Sequence, residues 1–145
     1  MGVSFYSLAS TPLKERKRLK TFLQHLADCE SHELGTLSVI FCSDEYLLTI
    51  NRDHLQHDYY TDIITFDLTE MEGQPIEAEL YISIDRVIDN AAQFGSTVKM
   101  ELHRVIFHGL LHLCGYGDKT RSAKRLMTEK ENFYLQAYFD VPRGA

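Results

Sequence analysis

Apolar positions recur along this chain with two periods, and the places where the period changes divide it into elements. Residues 2–8 read as a short first strand. Thr11-Pro12 has the form of a helix N-cap with proline at the first helical position. Leu13, Leu19, Phe22, Leu23 and Leu26 then fall at helical spacing, predicting a helix to about residue 28. From Gly35 the period shortens to two: Leu37, Val39 and Phe41 alternate with Thr36, Ser38 and Ile40, as in a strand with one face inward. Ser43-Asp44-Glu45 supplies a cap and first-turn acids for a short helix to about Arg52.

A second strand pattern covers 62–68, with Ile64, Phe66 and Leu68 on one side. The acidic stretch Glu70–Gln74 reads as a turn into a strand at about 77–84 bearing Leu80, Ile82 and Ile84. Helices are predicted over 85–94, stopped by Gly95, and over 97–114, with Leu102, Val105, Ile106 and Leu113 available for burial. Leu126, Phe133, Tyr134, Ala137 and Tyr138 mark a last helix ending near Pro142. No repeat or linker interrupts the pattern. The expectation is one α+β domain over residues 1–145, a small four-stranded mixed sheet packed by about five helices.

The chemistry concentrates at the end of the helix over 97–114. In His108-Gly109-Leu110-Leu111-His112-Leu113-Cys114-Gly115-Tyr116-Gly117-Asp118 the two histidines are four apart, hence on one helix face and one turn apart. Both imidazoles can reach one metal ion, at bond lengths of about 2.0–2.1 Å. Gly115 is placed to end the helix in a left-handed conformation and Gly117 gives a second joint, so Asp118 can fold back as a third ligand. That makes H-x3-H-x5-D, with a fourth position open for water. In the zinc-peptidase pattern H-E-x-x-H the residue after the first histidine is the catalytic glutamate. Here it is Gly109, which disfavours peptide hydrolysis by that route.

The run from His108 to Tyr116 resembles the hallmark H-G-x-L-H-L-x-G-Y-D-H of the YbeY family of bacterial metal-dependent endoribonucleases. Upstream, Asn51, Thr61-Asp62-Ile63-Ile64-Thr65-Phe66 and Glu79-Leu80-Tyr81-Ile82-Ser83 are similar to that family's T-[DN]-V-L-S-F and G-D-[IL]-x-I-S strands, so the resemblance covers roughly residues 35 to 118. It implies single-strand endonuclease activity in ribosomal RNA maturation, one divalent ion (zinc by its ligand types), and partners among RNA, the ribosome or small-subunit assembly factors. Two positions depart from the pattern. The family's last histidine aligns with Asp118, preceded by Gly117, which leaves two histidines and a carboxylate suited to zinc and to other divalent ions. A family arginine falls at Leu55, removing a cation that would steady a phosphate.

Composition adds boundaries. A net charge of −6 with 44% hydrophobic and 25% charged residues is ordinary for a globular protein and argues mildly against a general nucleic-acid binder. No apolar stretch approaches the roughly 20 residues needed to span a bilayer. The start, Met1 to Phe5, lacks the form of a secretion signal, and Cys29, Cys42 and Cys114 form no disulfide framework; both suit the cytoplasm.

Lys14, Arg16, Lys17, Arg18 and Lys20 are a candidate phosphate contact or a solvated helix face. Arg104, one turn before His108, either meets a phosphate or forms a salt bridge. His54 and His57 beside Asp53 and Asp58 make either a second metal group or a polar loop. His103 lies about 140° around the helix from His108 and points to a structural role, and Cys114 to core packing. Thr61, Asp62 and Thr65 fall on the strand that the resemblance places at the cleft, and Tyr116 should pack the ligand loop. Two other readings stay open: a metallopeptidase with its base brought from elsewhere, and a metal-stabilised ribosome-binding module without catalysis.

Overall fold

Parallel strands cannot be joined by a tight turn, so a chain that alternates short strands with helices must cross over between them. The computed structural model, which describes residues 2–55 and 61–140, shows such crossovers. Strand β1 (Gly2–Ser7) is followed by α1 (Arg16–Cys29), β2 (Leu34–Cys42), α2 (Asp44–Leu55), β3 (Ile63–Asp67), β4 (Ile76–Ser83), α3 (Ile84–Gln93), α4 (Val98–Leu113) and α5 (Arg121–Asp140). The sheet order is β1-β2-β4-β3. β1 and β4 each run parallel to β2, while β3 is antiparallel to β4 and forms an edge. The four-stranded mixed sheet and five helices match the α+β expectation.

One sheet face carries Leu37, Val39, Phe41, Ala78, Leu80 and Ile82 into the main core, shared with Leu19, Leu23 and Leu26 of α1, Leu102, Ile106 and Leu110 of α4, and Tyr134 and Tyr138 of α5. Each buried leucine, isoleucine, valine or phenylalanine among them contributes about 1.5–3 kcal/mol by leaving water. Cys42 and Ile64, on the opposite face, pack with Leu47 and Ile50 of α2, and Phe66 and Tyr81 complete that smaller cluster.

Several boundaries differ from those read from the pattern. Helix α1 begins at Arg16, not at Pro12: the Thr11 hydroxyl donates to the Ala9 carbonyl instead of capping, and Glu15 at φ 57 forms the entry. Leu13 is buried all the same, as an anchor ahead of the helix. Ile40 is buried along with Leu37, Val39 and Phe41, so the second face of β2 is not open to solvent there. Leu68 lies past β3 and is exposed, outside the stripe of Ile64 and Phe66.

In α5 the core stripe is Met127, Glu131, Tyr134, Leu135 and Tyr138, while Leu126 and Phe133 face solvent. The displaced stripe has a polar cause, since Glu131 is drawn inward by partners on α4. The caps at Ser43, Ser83 and Thr97 each accept a backbone N–H three residues on, at 3.1 Å.

Candidate metal centre

Helix α4 packs closely on the sheet at Gly109, between the two histidines. A Cβ built at Gly109 would stand 2.7 Å from Ile63 Cδ1 and 2.9 Å from Leu80 Cδ1. Glycine is therefore the residue that lets α4 settle against β3 and β4. A glutamate there would displace the ends of the Ile63 and Leu80 side chains and set its charge in an apolar contact.

The helix ends in a Schellman motif. Gly115, at φ 108, donates to the His112 carbonyl at 3.0 Å, and Tyr116 N–H donates to the Leu111 carbonyl at 3.1 Å. This turn brings the Tyr116 carbonyl to 3.2 Å from His112 Nδ1. A carbonyl only accepts, so Nδ1 carries the proton and the lone pair sits on Nε2.

His108 is fixed in the same sense. Its Nδ1 is 2.7 Å from Glu131 Oε2, and the second Glu131 oxygen accepts from Arg104 at 2.9 Å. The other Arg104 nitrogen donates to Asn132 Oδ1 at 2.7 Å. Arg104 is thus the salt bridge of the two readings, directed at Glu131. The free Nε2 of His108 lies 3.5 Å from Asp118 Oδ2. Two ligands on one tetrahedral zinc ion are separated by about 3.3 Å, given bonds of about 2.0–2.1 Å.

His108 and Asp118 fit a metal by donor type and by their separation. His112, exposed, lines the same cleft. Among the described residues no group of three His, Cys, Asp or Glu side chains is drawn together tightly enough to enclose an ion.

The cleft has a volume of about 310 Å³ and is lined by Asn51, Leu55, Thr61, Asp62, Ile63, Ile64, Thr65, His108, His112 and Asp118. A smaller acidic chamber adjoins it, where Asp62, Glu101, Asp118 and Glu131 surround His108 and Arg104. Burial pushes the carboxyls of Asp62 and Glu101 above the usual range, Glu101 being only 6% exposed. Burial alone would lower the His108 imidazole. The hydrogen bond to Glu131 and the nearby carboxylates of Glu131, Asp62 and Asp118 raise it instead. Several carboxylates about one guanidinium make a region of negative potential that favours a cation.

The other side chains singled out from sequence have these places. His103 is buried, its Nδ1 2.7 Å from the Lys99 carbonyl and its ring stacked on Tyr138 at 5.2 Å. Cys114 packs against the core with its thiol pushed up to about 12 by burial. His54 lies on α2 against Phe66, away from the cleft lining, while His57 and Asp58 are outside the described residues. Arg16 and Arg18 sit over the rings of Phe5 and Tyr138 at 5.9 and 4.0 Å, leaving Lys14 and Lys17 as the exposed part of that run.

Tyr116 packs the loop as expected, donating to Glu30 at 2.6 Å. Glu30 also accepts from Tyr134 and, at 3.3 Å, from Lys130. Glu30 and Glu131 are the residues that sequence reasoning missed. Glu131 looks like an ordinary surface acid on a helix and Glu30 like one just past a helix end, and nothing local announces the partner of either. A third omission had a signal: Lys119, Arg121, Lys124 and Arg125, an acid-free basic run directly after the ligand motif.

Comparison with known proteins gives one consistent result. Residues 8–139 match the family described as endoribonuclease YbeY. An endoribonuclease YbeY of Cytophaga hutchinsonii is 57% identical over 123 residues, 85% of each chain. That of Parabacteroides distasonis is 44% identical over 133 residues, covering 91% of this chain and 92% of the relative. A protein of Thermotoga maritima with a solution structure superposes with a TM-score of 0.63 at 27% identity, over 94% of this chain and 90% of the other.

Proposed function

Because the chain belongs to the YbeY endoribonuclease family, we propose that it cleaves phosphodiester bonds of single-stranded RNA in the cleft between α4 and β3, as a step in ribosomal RNA maturation. The observation that carries this reading is the pair of imidazoles whose Nδ1 protons are both committed, one to Glu131 and one to the Tyr116 carbonyl. Their free nitrogens are left for a metal. His108, His112 and Asp118 would hold a divalent ion, zinc by donor type, and such an ion supplies Lewis acidity and an acidified water.

This chain's own residues do the rest. Glu131 and Arg104 fix the His108 ring, and the Schellman turn fixes that of His112. Leu55, Ile63 and Ile64 supply the apolar part of the cleft lining. Three free cysteines support a reducing cytoplasm as the place of action.

The test incubates metal-replete protein with structured ribosomal RNA and, separately, with an unfolded protein, each with and without chelator. Chelator-sensitive RNA cleavage that is lost in His112→Ala is the expected result. Proteolysis would replace this reading with a peptidase, and RNA or ribosome binding without turnover would replace it with a binding module. The third ligand has its own measurement. Asp118→Ala should lose bound metal while Cys114→Ala keeps it, and the reverse pattern would remove Asp118 from the set.

A further inference from the structure

Apart from the metal proposed for His108, His112 and Asp118, phosphates entering the cleft meet no lysine or arginine among the described residues of its walls. Arg104, in the adjoining chamber, is held by Glu131 and Asn132. The positive charge lies at the rim. Lys119, Arg121, Lys124 and Arg125 fall within seven residues that contain no acid, on a chain of net charge −6. All four are exposed, and none of their side chains has a hydrogen-bond or ion-pair partner among the described residues. A cation at Arg121 also opposes the dipole at the start of α5, where the first turn has no acid. The run is therefore not explained by helix stability.

Its direction follows from the helix period. Glu131 meets His108 and Asn132 meets Arg104, so that sector of α5 faces the ligand helix. Lys124 and Arg125 precede these two by seven residues, which returns to within about 20° of the same azimuth. They are displaced by about 10 Å along the axis. His103 stacks on Tyr138 while His108 meets Glu131, so α4 and α5 run antiparallel and α4 ends, at Leu113, at about the level of Lys124. Beyond that end the sector of α5 that faces α4 overhangs the ligand loop. Lys119 completes the rim, next to the Asp118 carboxylate that lies 3.5 Å from His108.

We infer that Lys119, Arg121, Lys124 and Arg125 form a phosphate-gripping rim that holds the RNA backbone to one side of the bond being cut. The inference rests on the reading of RNA as substrate.

Binding of a labelled 2′-O-methyl oligoribonucleotide to metal-replete protein would be followed by fluorescence anisotropy across a salt series, with cleavage of the unmodified strand in parallel. Lys124→Ala/Arg125→Ala should weaken binding about tenfold and flatten the salt dependence by about 1.4, two single-strand contacts at roughly 0.7 each. KM should rise with kcat unchanged. A control pair on α1, Lys14→Ala/Lys17→Ala, should change affinity less than twofold. An unchanged salt slope in the rim variant, or an equal loss in the control pair, overturns the rim while RNA cleavage by the wild type stands. A wild type that neither binds nor cuts RNA overturns the substrate reading and the rim with it.

Discussion

Two carboxylates, Glu30 and Glu131, are equally buried at 9% side-chain exposure, and each anchors one end of the segment from His108 to Tyr116. They are used in opposite ways. Glu30 is surrounded by donors, the hydroxyls of Tyr116 and Tyr134 and the ammonium of Lys130. Burial works to raise its carboxyl, and those hydrogen bonds outweigh it and hold the group below the usual range. Glu131 shares its region with Asp62 and Glu101, both pushed upward by burial, and one of its two partners is a histidine whose far side opens to the cleft. The first region is electrostatically complete and serves to fix the loop. The second is left with surplus negative charge and serves to attract and orient.

The largest expected effect breaks the second region. Glu131→Ala releases the His108 ring and should lower zinc affinity about 10- to 100-fold, as loss of an orienting partner does, measured by competition with a chromophoric chelator. Retained affinity would mean that the ring is held by packing alone. Glu30→Gln breaks the first region. It should cost about 1.5–3 kcal/mol in urea unfolding, the range for hydrogen bonds to a charged group, with zinc affinity changed less than threefold.

Acidity sharpens the contrast. Glu30 has a lowered folded pKa, so its stabilisation is present above the ordinary carboxylate value and is lost as pH falls through the folded value. The deficit of Glu30→Gln should therefore narrow in acid. Glu101 has a raised folded pKa, so its charge opposes folding at neutral pH and that cost disappears as pH falls through the folded value toward the unfolded one. Glu101→Gln should raise the melting temperature at neutral pH, by an amount that shrinks in acid. Melts of the two variants across pH would give slopes of opposite sign, and slopes of the same sign would collapse the distinction. The smallest effect concerns the helix start at the rim. Arg121→Glu should stabilise the fold by about 0.3–1 kcal/mol through the helix dipole, visible in the urea midpoint.

Local periodicity made most of this fold legible, because helices and strands bury side chains at fixed intervals. It failed where a polar partner across space overrode the stripe. Phe133 and Leu126 looked like core and are exposed, while Glu131 looked like surface and is buried, because Arg104 and His108 reach it from another helix. The start of α1 failed for a local reason: Thr11 can bond backward to Ala9 as readily as forward into a helix. At the site, the positions of His108, His112 and Gly115 followed from motif spacing. Their orienting groups did not, since Glu131 is 23 residues from His108 and the Tyr116 carbonyl is backbone.

The close seat of α4 on the sheet has a consequence for the history open to this scaffold. Residue 109 alone separates this run from H-E-x-x-H. Ile63 and Leu80 stand where the glutamate side chain would have to begin. A descendant with peptidase chemistry would have to repack those two side-chain ends and place a carboxylate beside them, so the obstacle lies in the apolar seam and not in the backbone of the helix.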